Sequence, residues 1–158
     1  MTDPRIGSLE AMVRQMHWAN AQLIDWLAPD GPQGNLRDRE YFVGLTSHIL
    51  RAERAWLDRA YGRKWDRNMF DHLFHNAMPA INDACRDGWL SLLATGLESR
   101  EIDYVMMDGT ARRSAPHDML LHIFGHGFHH RGQMAALASA LGHKLPNLAY
   151  IHFTRTAL

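Results

Sequence analysis

"LLHIFGHGFHHRGQ", Leu120–Gln133, places four histidines within nine residues of an otherwise apolar stretch. The residues around them keep the three-and-four spacing of a helix with one buried face. That helix begins near Ser114 or Ala115, with Pro116 in its first turn, and runs to Gly142, a residue suited to a left-handed C-cap. Imidazoles and interior glycines both weaken a helix, a glycine by about 1 kcal/mol against alanine. Their presence mid-helix needs a separate reason. His122, His126 and His130 follow at i, i+4 and i+8, so they stand one above another on one face. His126 and His130 can therefore bite one metal ion, as other helical H-x-x-x-H pairs do. His122 and His126 could do the same. His129, about 100° round the helix from His130, is expected to be exposed or to stand behind the ligands.

Two ligands do not complete a metal site of this kind, which takes three or four protein groups. The third must come from another helix, at a core position where an apolar residue is expected. Working outward from the histidine helix, three more helices can be read. The first opens with Asp3 as N-cap and Pro4 at the first helical position. It carries the stripe Leu9, Met12, Val13, Met16, Asn20, Leu23 and Leu27, and "APDGPQG", Ala28–Gly34, breaks it. The second runs from about Asp38 to Tyr61 and stops at Gly62, burying Leu45, His48, Ile49, Ala52, Ala55 and Trp56. Residues 63–75 read as a loop with a short helical turn. The third spans about Ala77–Leu97, with Asn76 as its cap, Pro79 in the first turn, and Ile81, Ala84, Cys85, Gly88 and Leu92 facing inward.

His48 thus shares a stripe with Leu45, Ala52 and Ala55 and is the candidate third ligand. A single buried histidine is more often a hydrogen-bonded core residue, and only the i, i+4 pair opposite raises His48 above that reading. Three histidines leave coordination positions open, as catalytic sites do. Imidazole suits zinc, nickel, copper and iron alike. Gln133, one turn past His130, could orient a metal-bound water or a ligand imidazole, or simply lie on the rim. Gly125, Gly127 and Gly132 fit close approach of a ligand or of another helix. His17, His72, His75, His117, His143 and His152 fall near predicted ends, loops or polar faces and are expected to be solvated. Glu53 and Asp25 are the nearest candidates for a general base, but their registers look peripheral. Cys85 reads as core packing.

Between the third and fourth helices the period changes. "IDYVMMDGTARRSA" centres on Asp108-Gly109, a tight-turn pair, and reads as a short hairpin or an extended crossover. The tail "HKLPNLAYIHFTRTAL" reads as loop. The fold expected is all-α, a four-helix bundle over one domain, residues 1–158, with each apolar face turned to a shared core.

The composition narrows the function classes. Seventeen Lys and Arg balance seventeen Asp and Glu, without the basic footprint of a nucleic-acid binder or a membrane-surface protein. No apolar run approaches the roughly 18 residues that span a bilayer. One cysteine excludes an intrachain disulfide, and "MTDPRIGSLEAM" lacks a signal-peptide pattern. The expectation is a cytoplasmic protein with a small-molecule partner.

Several of these segments together resemble the DinB/YfiT-like superfamily of metal-binding four-helix bundles. "HGFHHRGQ" (His126–Gln133) matches the family hallmark of His, three residues, then His-Arg-Gly-Gln. "MHWANAQLIDWL" (Met16–Leu27) is similar to its first helix, and "SHILRAERAWLDRAYG" (Ser47–Gly62) to its second, first histidine ligand included. The "DG" turn and "LGHKLP" also fit. The resemblance covers nearly the whole chain. It implies a divalent cation, zinc or nickel foremost and iron next, on His48, His126 and His130, and a homodimer. It also implies an enzyme that transfers a low-molecular-weight thiol to a small electrophile. Metal-dependent hydrolysis and non-catalytic metal or ligand binding in a stress response are the alternatives. One departure stands out: where family tails carry Pro-x-x-Asp, this chain has Ala149 after Pro146.

Overall fold

The computed structural model describes residues 4–29 and 38–154, with side chains from Ser8 onward. Asp3, the expected first cap, and Asp30–Gly34 of the expected break lie outside those residues. The long helices are α1 (Pro4–Trp26), α2 (Arg39–Ala60), α3 (Met78–Ala94) and α4 (Pro116–Ala140). Helix α1 packs on α3, and α2 lies against both α4 and α3. Apolar faces drive this arrangement. Leu9, Val13 and Met16 close one end of the core with Cys85, Trp89, Leu92, Met119, Leu120 and Ile123. Leu23, Leu27, Phe42, Ile49, Met134 and Ala138 close the other. The result is an all-α bundle with one small two-stranded sheet. Among the described residues, no helix is long and apolar enough to cross a membrane.

The ends depart from the expected boundaries in three places. A 3-10 turn, His75–Ala77, leads into α3, so Asn76 lies inside that turn and Ala77 takes the cap position. Helix α3 stops at Ala94 and not Leu97, because Thr95 Oγ1 donates to the Leu92 carbonyl at 2.6 Å and Gly96 turns the chain at φ +69°. Its inward stripe is Met78, Asn82, Cys85, Trp89, Leu92 and Leu93, and Ala84 faces solvent. The tail is not all loop: residues Tyr150–Phe153 form a short helix, α5, and Phe153 packs on Trp18 at 5.6 Å between ring centroids.

The segment before α4 is a hairpin. Strand β1 (Ile102–Val105) pairs antiparallel with β2 (Ala111–Ser114), in the register Tyr104↔Arg112. Gly109 takes φ +85°, and Asp108 Oδ1 accepts from the Thr110 amide at 2.9 Å, which locks the turn.

Two expectations about the core are overturned. His17 is 2% exposed and not solvated, and Glu53 is 2% exposed and not peripheral. His17 Nε2 lies 2.8 Å from Glu53 Oε1, and His17 Nδ1 lies 2.7 Å from the Val13 carbonyl. Asn82 donates to the His17 carbonyl at 3.0 Å, Asn20 donates to Asn82 Oδ1 at 3.2 Å, and Arg131 Nη1 donates to Asn20 Oδ1 at 3.0 Å. Along α1, α2 and α4 this polar layer falls between the two apolar ends of the core. Burial alone would lower the His17 pKa, but the charge and hydrogen bond of Glu53, with the Val13 carbonyl, raise it overall. Arg131 is buried too, and desolvation draws its pKa down to about 10 against the pull of Glu53.

Candidate metal centre

Helix α2 carries His48 and helix α4 carries His126 and His130, and the contact between these helices brings the three rings together. His48 Nε2 lies 3.1 Å from His126 Nε2, which lies 3.0 Å from His130 Nε2. One ring nitrogen from each of the three lies within 4.8 Å of the others, a grouping that could hold a metal ion. The i, i+4 relation delivers two of these nitrogens from adjacent turns, and His48 comes from the facing helix.

The outer nitrogens explain why the inner ones face each other. His48 Nδ1 is 3.0 Å from the Met69 carbonyl, and His130 Nδ1 is 2.7 Å from Gln133 Oε1. Both partners are acceptors, so both Nδ1 atoms carry the proton and donate. Their Nε2 atoms are then bare lone pairs. His126 Nε2 sits between two lone pairs and has at most one proton to share. Three inward nitrogens with too few protons form a good donor set for a cation. Protonating the rings would relieve the shortage, but the surroundings oppose it. Burial, followed by the neighbouring imidazoles, pushes His126 down to about 3. Burial likewise lowers His130, although its bond to Gln133 works the other way. His126 and His130 are therefore held toward the neutral form, the one that ligates metals.

Gln133 lies exposed at the rim and also contacts His130, so the two alternatives coincide in one side chain. His122 stands at the edge of the trio: its ring stacks near His126 at 6.0 Å and lies 4.9 Å from Trp56, outside the close group. His129 is exposed, 5.1 Å from His130 between ring centroids. Of the three glycines on α4, only Gly127 has a close neighbour. A Cβ there would lie 3.0 Å from Nη1 of Arg131, so this glycine makes room for a guanidinium, while Gly125 and Gly132 meet nothing within 4 Å. Cys85 is fully buried and burial pushes its thiol upward, in keeping with core packing.

Two parts of the centre come from the loop after α2. Met69 supplies a backbone acceptor, which has no side-chain signature. Phe70 lays its ring on His48 at 4.9 Å with 7° between planes, yet is 69% exposed. An exposed phenylalanine in an ambiguous loop could have flagged the segment, but its partner could not be named without the fold.

The DinB family model matches residues 8–157. The chain belongs to the DinB family. No curated protein matches it. At the start of α5, Asn147 Oδ1 accepts from the Ala149 amide at 3.1 Å.

Proposed function

We propose that this DinB-family protein is a metal-dependent enzyme that transfers a low-molecular-weight thiol to a small electrophile, with His48, His126 and His130 as ligands. The observation that carries this reading is the convergence of three imidazole nitrogens in a group that contains no carboxylate. A divalent cation held there supplies a Lewis acid whose full charge, unopposed by its ligands, favours the thiolate form of a thiol. The protein's own residues orient and shield. The Met69 carbonyl and Gln133 fix two imidazoles by their outer nitrogens, and Phe70 covers one face of His48. The three histidines are partly exposed, as a site that takes small molecules requires. Hydrolysis is less well served, because Glu53, the carboxylate nearest to it in sequence terms, is committed to His17 in the core.

Untagged protein tests the ligand set and the reaction separately. Metal analysis should give about one divalent ion per chain, and His48→Ala should lose it. Electrophiles offered with several cellular thiols should turn over only without chelator. Stoichiometric metal in His48→Ala would reject the ligands, and chelator-insensitive turnover would reject the chemistry. A small-molecule partner, zinc or nickel as the ion, a cytoplasmic setting and a homodimer belong to the same proposal.

A further inference from the structure

A cleft of about 320 Å³ lies between the hairpin and α4, with His122 in its lining. His122 is the link to the three histidines, 6.0 Å from His126 between ring centroids. The cleft is large enough for a small organic ligand, and its walls are Trp56, Tyr104, Met106 and Met119. Two charged side chains complete it, Arg112 from β2 and Asp118 from the first turn of α4. Strand geometry sends Arg112 there. Arg113 points to the opposite face and is bound by Asp103 at 2.6 Å, while Arg112 is the register partner of Tyr104. Among the described residues Arg112 forms no salt bridge, although its charge is felt by Asp108 at the hairpin turn, and Asp118 pairs only with His117, at 3.3 Å.

A third charge lies behind the wall. Arg59 is 3% exposed, with its guanidinium 4.5 Å from the Trp56 ring centre, 3.8 Å from that of Trp65 and 5.8 Å from that of Tyr104. Its Nε is buried without a hydrogen-bond partner, and no carboxylate pairs with it among the described residues. A desolvated cation held by three aromatic rings makes the wall rigid and electropositive.

We propose that this cleft is a binding pocket for an amphipathic α-amino acid or a molecule that ends in one. The apolar body lies on Trp56 and the methionines, the carboxylate faces Arg112 with Arg59 behind, and the ammonium faces Asp118. The pocket places such a ligand beside His122, next to the three-histidine centre. Its link to catalysis rests on the proposed function, but its binding preference does not.

Three probes of one shape separate the charges: L-phenylalanine, 2-phenylethylamine and 3-phenylpropionate. Each is titrated calorimetrically into metal-free and zinc-loaded protein, with zinc content measured alongside. L-Phenylalanine should bind about tenfold more tightly than either partner in the metal-free protein, the worth of one charge-assisted contact. Arg112→Ala should erase the preference over 2-phenylethylamine and keep the other. Asp118→Asn should do the reverse. Neither substitution should change zinc content. Equal binding of the three probes, no binding of any at millimolar concentration, or preferences that survive both substitutions would overturn the pocket. Protein that discriminates the probes but takes up no zinc would support the pocket and reject the metal centre.

Discussion

Glu53→Gln is the sharpest test of the polar layer inside the bundle. The substitution keeps the shape of the side chain and removes its charge. His17 then loses the partner 2.8 Å away, and buried Arg131 loses an acid that raises its pKa. Breaking a buried charge pair costs about 3–5 kcal/mol, against about 0–1 for a surface pair. For a chain of this size, that corresponds to a Tm lower by about 6–20 °C. The penalty should also depend on pH. His17 has a folded pKa raised above its ordinary 6.5. Its contribution is therefore fully present below 6.5 and fades as pH rises through the folded value. Urea unfolding of metal-free protein at pH 6 and pH 9, followed by circular dichroism, measures both effects. The cost should be larger at pH 6, with the residue at pH 9 reporting on Arg131. A cost below about 1 kcal/mol at pH 6, or one identical at both pH values, would refute the reasoning.

Other outcomes follow from the centre and its helix. Gln133→Ala should weaken metal affinity about 10–100-fold with the three ligands intact, measured by competition with a chelating dye; unchanged affinity would remove Gln133 from the orienting role. On the acid side, His126 is held neutral down to about 3 when folded, whereas the unfolded chain takes up the proton near 6.5. Metal-free stability should thus fall as pH drops below that value, and imidazole resonances that titrate normally would contradict this. Gly125→Ala should stabilise the protein by up to about 1 kcal/mol. Gly127→Ala should forfeit that gain by crowding Arg131, so equal stabilisation by both would argue against the packing described.

The three-histidine group could be read from the chain because two of its members obey the helical period and the third breaks an apolar stripe. His17, Glu53 and Arg131 escaped the same reasoning. Helix α1 buries a broad sector, with Gln15, Met16, His17, Ala19 and Asn20 all inside, so the one-face rule wrongly assigned His17 to solvent. Each polar residue in this layer looks misplaced on its own helix, and its partners arrive from other helices. The Met69 carbonyl was hidden for a different reason, since every residue has one and only the loop's path aims it at His48. The α3 boundary moved because a threonine side chain and a left-handed glycine ended the helix earlier than the apolar pattern did.

The chain's single sulfhydryl, on Cys85, is sealed between helices and reluctant to ionise. Under the proposed thiol chemistry, that sealing would spare the protein alkylation of itself. The same sealing turns Cys85 into a clock: the rate at which a thiol reagent labels it records how often the bundle breathes open along α3, in the native protein and without any added probe.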